Sequence, residues 1–69
     1  MSDTGTVKWF NPTKGYGFIT PSNGGKDVFV HITAVHGSGL QGLEENQSIE
    51  YDIDENNGRP CATNLKVAS

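Results

Sequence analysis

Lys14-Gly15-Tyr16-Gly17-Phe18-Ile19 and Val28-Phe29-Val30-His31-Ile32 are two short runs whose alternation sorts aromatic from aliphatic side chains. In an extended strand successive side chains point to opposite faces. Tyr16 and Phe18 therefore share one face while Gly17 and Ile19 share the other. In the second run Phe29 and His31 go one way and Val28 and Val30 the other. The intervening Pro21-Ser22-Asn23-Gly24-Gly25-Lys26 is rich in residues that tolerate turns, so the runs read as strands two (residues 14–20) and three (residues 27–32) of an antiparallel hairpin. That pairing sets Tyr16, Phe18, Phe29 and His31 on one continuous surface. A half-buried antiparallel strand ordinarily turns Lys, Glu, Thr or Ser to solvent. Here the outer face is flat and aromatic, and its purpose has to be sought in binding.

Working outward, residues 1–6 are polar and expected to fray, and Val7-Lys8-Trp9-Phe10 forms a first strand that stops at the turn signal Asn11-Pro12. Its parity is ambiguous. Val7 and Trp9 should share a face, so either Trp9 belongs to the core or a bulge or strong twist re-aims the end of the strand. Residues 33–47 carry Gly37, Gly39 and Gly42 with scattered apolar anchors and read as a long loop, with at most one 3₁₀ turn at Thr33-Ala34-Val35. Strand four, residues 48–54, alternates Ile49, Tyr51 and Ile53 inward with Glu50, Asp52 and Asp54 outward, the ordinary polar solvent face that the hairpin lacks. Asn56-Asn57-Gly58 signals a tight turn, and residues 60–67 give strand five with Leu65 and Val67 on one parity. Nine glycines and five short strands point to an all-β fold. Five strands are too few for two packed sheets, so closure into a small antiparallel barrel, which removes most exposed edges, is expected.

Size and charge narrow the function. Sixty-nine residues make one small domain, residues 1–69, with a core too small to enclose a large substrate cavity. The single cysteine, Cys61, excludes an intramolecular disulfide, and neither a secretory apolar segment nor a membrane-length apolar run is present. A cytoplasmic monomer with no membrane partner is the expectation. The net charge of −3 argues against a nucleic-acid partner until its distribution is considered. Residues 1–40 hold three lysines against two aspartates, a net +1, whereas residues 41–69 hold six carboxylates against Arg59 and Lys66, a net −4. The positive charge travels with the rings. Flat platforms interleaved with Lys8 and Lys14 are what single-stranded RNA or DNA requires: rings for unstacked bases and cations for the phosphates. At about 1–3 kcal/mol per stacked base, three or four platforms supply about 4–8 kcal/mol after incomplete additivity, or about micromolar affinity once phosphates contribute. Rings stack on any base, so little sequence discrimination is expected.

These residues strongly resemble the bacterial cold shock domain family, whose members are five-stranded OB-type barrels that bind single-stranded RNA and DNA. Lys14-Gly15-Tyr16-Gly17-Phe18-Ile19 is similar to the family's first RNA-binding motif and Val28-Phe29-Val30-His31-Ile32 to its second. Val7-Lys8-Trp9-Phe10-Asn11 and Gly25-Lys26-Asp27-Val28 are similar as well, so the resemblance covers nearly the whole chain. It implies that Trp9 lies on the binding face, and that Lys8, Trp9, Phe10, Lys14, Tyr16, Phe18, Phe29, His31 and Ile32 form a nucleic-acid-binding site. It also implies RNA chaperone activity that keeps transcripts single-stranded, with effects on transcription antitermination or translation in cold adaptation. The departures have consequences. Tyr16 stands where Phe is usual and preserves the ring. Ile32 replaces a usual Phe and removes one platform, and Leu40 occupies a loop position where an aromatic is frequent. Looser binding than in members with both rings follows.

Other chemistries find less support. Cys61, His31 and His36 lack metal-ligand spacing, and His36 is expected in a solvated loop. No metal, cofactor or small-molecule substrate is implied. No carboxylate cluster or nucleophile and base pair accompanies the patch, so an enzyme such as a small nuclease is not expected. A module that docks an extended or proline-rich peptide on the rings is the rival reading. The interleaved lysines favour phosphate.

Overall fold

The computed structural model describes residues 3–55 and 60–67. Its strands are β1 (Asp3–Asn11), β2 (Tyr16–Pro21), β3 (Val28–His31), β4 (Ser48–Asp54) and β5 (Cys61–Val67), with one helix, α1 (Ile32–Gly37), following β3. They close into a barrel in the order β1, β2, β3, β5, β4, the all-β five-stranded architecture the sequence implies. The expected antiparallel arrangement needs one correction: β3 and β5 pair in parallel, with Phe29 beside Cys61. The reason is arithmetic, because strand direction cannot alternate all the way around a closed ring with an odd number of members. The Asn56-Asn57-Gly58 turn lies outside the described residues. No helix among the described residues is long and apolar enough to cross a membrane.

The inward parity of the hairpin holds. Ile19, Val28 and Val30 are buried together with Val7, Ile49, Tyr51, Ala62 and Leu65, and burying each aliphatic side chain stabilises the fold by about 1.5–3 kcal/mol. Gly17 shares this inner parity and lets β1 approach closely, since a Cβ there would lie 2.8 Å from Phe10 Cα.

Strand β1 resolves its own ambiguity with an extra residue. Val7 stands opposite Ile19 and Trp9 opposite Phe18, leaving Lys8 without a partner position on β2. This bulge sends Lys8 and Trp9 to the same outer side while Val7 stays buried. The backbone groups of Val7 are taken up from beyond the hairpin: its N–H donates to Gln47 O (2.9 Å) and its carbonyl accepts from Asn46 N–H (2.8 Å). Asn46 does so from the left-handed region, at φ 67°. The expectation that the first six residues fray is also corrected for the described ones. Asp3 to Thr6 run opposite Tyr51 to Ser48 of β4, because barrel closure gives this polar segment a second neighbour.

The loop reading of residues 33–47 is corrected at its start. Ile32–Gly37 is helical, with Val35 fully buried and Leu43 behind it in the core. Ser38 ties off the helix, its hydroxyl donating to Ala34 O (2.8 Å) and accepting from Leu65 N–H (2.8 Å). This segment plugs one end of the barrel. At the other end Ile53, expected inside, is 42% exposed. It lies past the last core layer, where its neighbour across the ladder, Ala62, takes the buried position.

Candidate nucleic-acid interface

Register places the rings. Tyr16 stands opposite His31 and Phe18 opposite Phe29 across the β2 and β3 ladder, and the β1 bulge swings Trp9 over the same face, opposite Phe18. The result is a connected cluster. Trp9 lies 5.5 Å from Tyr16 and 5.4 Å from Phe18, edge to face. Tyr16 stacks on Phe29 at 5.8 Å with planes 23° apart. Phe18 meets Phe29 edge-on at 5.8 Å, and Phe29 reaches His31 at 6.2 Å. Edge-to-face contact is the arrangement that aromatic quadrupoles favour, and it holds each ring while leaving part of its surface to solvent: Trp9 is 36% exposed and Tyr16, Phe18 and Phe29 are half-buried.

Local structure sets the rim. Asn11 Oδ1 accepts from the amides of Thr13 (2.9 Å) and Lys14 (3.0 Å), which fixes the turn that carries Lys14. Gly15, at φ +84°, closes it, and the Gly15 carbonyl accepts from Ile32 N–H at 2.9 Å. Lys14 is exposed and makes no ion pair among the described residues. Lys8 differs. Its Nζ donates to Asp27 Oδ2 at 2.9 Å, while Asp27 Oδ1 accepts a long 3.4 Å bond from Thr20 Oγ1. A strand that recruits Lys8 must take it from that carboxylate.

His31 carries a second duty that its place in the ring row did not suggest. It is the N-cap of α1, and its Nδ1 accepts from Thr33 N–H (3.2 Å) and lies 3.0 Å from Thr33 Oγ1. With Nδ1 engaged by the cap, Nε2 is the ring nitrogen left for a ligand. Capping by Ser, Thr, Asp or Asn is readily read from sequence; a capping histidine is not.

Two of the nine expected residues sit apart from the cluster. Phe10 is half-buried, packs against the core and joins none of the ring pairs among the described residues. Ile32 is half-buried at the first position of α1, with its Cγ2 next to Gly15. Lys8, Trp9, Lys14, Tyr16, Phe18, Phe29 and His31 are brought together on or beside one face. Asp27 is the neighbour sequence reading overlooked, and the only signal for it was its place directly before the second run. His36, expected in a loop, is exposed in the last turn of α1.

Comparison with known proteins agrees with this geometry. The family model described as the 'Cold-shock' DNA-binding domain matches residues 3–68. The cold shock-like protein CspA of Rickettsia bellii is 56% identical over 63 residues, covering 91% of this chain and 90% of that protein. The cold shock-like protein CspC of Shigella flexneri is 52% identical over 61 residues, 88% of each chain. The probable cold shock protein A of Mycolicibacterium smegmatis is 52% identical over 63 residues, covering 91% of this chain and 94% of that one. With the barrel closed, the rings gathered on one face and the match running nearly end to end, the chain belongs to the cold-shock DNA-binding domain family.

Proposed function

We propose that this protein binds single-stranded RNA and DNA on the β1, β2 and β3 face with little sequence discrimination, and that it works as an RNA chaperone that holds transcripts open. The observation that carries this reading is the continuous cluster of Trp9, Tyr16, Phe18, Phe29 and His31, each within about 6.5 Å of the next ring and each with surface left to solvent. Bases stack on these rings, Lys14 and Lys8 meet the phosphates, and Phe10 and Ile32 support the rim. Acting as a monomer in the cytoplasm, it influences transcription antitermination and translation by competing with RNA hairpins for the same unpaired bases. Stacking from three or four rings gives about 4–8 kcal/mol, about micromolar binding with the phosphate contribution. The acidic β4 side limits non-specific adhesion to polyanions.

Titration of heptameric oligo-dT and oligo-U, followed by Trp9 fluorescence, tests the binding; quenching is expected, and its absence at every salt concentration would sink the proposal. A quenched-hairpin RNA beacon tests the chaperone step. The beacon should open at saturating protein, and a beacon that stays closed while Trp9 is quenched would leave a binder without melting activity.

A further inference from the structure

His31 closes the ring row at the end of β3 and is exposed. It lies 6.2 Å from Phe29 and stands across the ladder from Tyr16. One residue, Thr33, meets its Nδ1 with two groups: the Thr33 N–H donates to it at 3.2 Å and the Thr33 hydroxyl lies 3.0 Å away. Thr33 belongs to neither aromatic run, and strand alternation does not mark it.

Capping explains only the amide. An N-cap side chain accepts from the backbone N–H of the second or third helical residue, and any residue but proline at position 33 supplies that N–H. The hydroxyl is a second contact to the same nitrogen, and the cap does not need it. What it restrains is rotation of the imidazole, a torsion that is otherwise broad. The mount itself is fixed at both ends. Ile32 N–H donates to Gly15 O at 2.9 Å, tying the start of α1 to the turn that carries Lys14, and Ser38 ties the far end to Leu65 N–H of β5 at 2.8 Å. The two nitrogens of an imidazole point in widely different directions, so an Nδ1 turned to α1 leaves Nε2 turned away from it.

We propose that Thr33 is a positioning residue for His31: it holds Nδ1 as an acceptor and the ring plane in place, so that the Nε2 proton meets the acceptor edge of a base stacked on the neighbouring Phe29. The proposal rests on the single-strand reading above and adds one polar contact to it. Unstacked bases all expose oxygen or ring-nitrogen acceptors, so the contact strengthens binding without choosing a sequence.

Thr33→Val removes the hydroxyl and keeps the branched shape and the amide, whereas Thr33→Ser keeps the hydroxyl. With heptameric oligo-dT, followed by Trp9 fluorescence, Thr33→Val should bind about twofold to fivefold more weakly, and Thr33→Ser should bind as the parent does. A heptamer of difluorotoluene nucleotides, which stack like thymine but accept hydrogen bonds poorly, should not distinguish Thr33→Val from the parent. In a His31→Asn background, where asparagine still caps α1 but offers no Nε2, Thr33→Val should have no further effect. Nitrogen NMR of the parent at about pH 8, where imidazoles are neutral, should find the His31 proton on Nε2. A proton on Nδ1 overturns the proposal, and so does parental affinity in Thr33→Val. Equal weakening toward both heptamers, or the same loss with His31 replaced, would show that Thr33 acts on packing or on the ligand directly, and refutes it as well. If Thr33→Val melts below the parent, Thr33→Ala, a better helix former, takes its place with the same expectation. Oligo-dT that leaves the parent unquenched ends the single-strand reading and this proposal with it; quenching of the parent with an indifferent Thr33→Val ends this proposal alone.

Discussion

Two outer faces of one barrel are built from the same alternating pattern and end up with opposite chemistry. On β2 and β3 the outward side chains are rings that touch one another, and on β4 they are Glu50, Asp52 and Asp54. The β4 residues behave as ordinary solvated strand residues: Asp52 Oδ2 accepts from Asn64 Nδ2 at 3.0 Å, and Glu50 stands across the ladder from Lys66. Nothing in strand geometry requires rings on one side and carboxylates on the other, because the inner aliphatic residues supply the core in both cases. The difference teaches that core packing does not account for the outer rings, because the buried row is complete without them. It also gives the barrel a direction, with stacking surface on one flank and repulsion for phosphate on the other.

The sharpest way to break this contrast is to strip the ring flank. Phe18→Ala combined with Phe29→Ala should cost oligo-dT binding two stacking increments, about 2–6 kcal/mol, in a fluorescence titration, with a cooperative thermal transition retained because Ile19, Val28 and Val30 still fill the core. Affinity within threefold of the parent would mean that the rings are packing alone. Ile32→Phe extends the platform. Tightening by up to one increment, about 1–3 kcal/mol, is expected by calorimetry, and an unchanged constant would show that position 32 does not reach the ligand. Asp27→Asn releases Lys8. Oligo-dT binding in the same fluorescence titration should tighten by at most about 1 kcal/mol, the worth of an exposed pair that the strand no longer has to break, and a weaker complex would show that Asp27 itself contacts the ligand. Glu50→Lys on the acidic flank should have the smallest effect. A gain below about 0.5 kcal/mol at low salt that disappears as the Debye length shrinks is the expected outcome, and a larger gain would place the strand's path over β4.

Much of this was legible in the sequence because two-residue alternation is a local signal. The hairpin, its inner row and the ring row follow from parity alone, as does β4 through Tyr51. What escaped depends on distant chain. The parity of Val7 to Phe10 left a bulge and a core Trp9 as open alternatives, and what decides for the bulge lies with Asn46 and Gln47, some forty residues away. Helix α1 is six residues long and capped by a histidine, below the length at which periodicity is readable. The parallel seam between β3 and β5 follows from closure, a property of the whole ring. Ile53 kept its parity and lost its burial because the core ends one layer earlier. Among the site residues, Trp9 was assigned to the outer face by family resemblance, and the bulge supplies the physical cause.

That single unpaired residue in β1 has a consequence for how the chain tolerates change. Lys8 acts as a phase shifter: everything before it is counted in one frame of inside and outside, everything after it in the other. Were the strand to flatten with its length unchanged, the indole would turn inward beside Val7 and Phe10 would rotate out of the core, whereas deleting Lys8 itself would give a regular ladder with Val7 still inside and Trp9 still outside. The face that Trp9 occupies is therefore set by the extra residue and not by the identity of Lys8. In the turn that follows β2, Ser22 is held to Thr4 O by its N–H (3.0 Å) and hydroxyl (2.8 Å), and one residue inserted beyond it, among the exposed residues 23–26, would leave both faces in place.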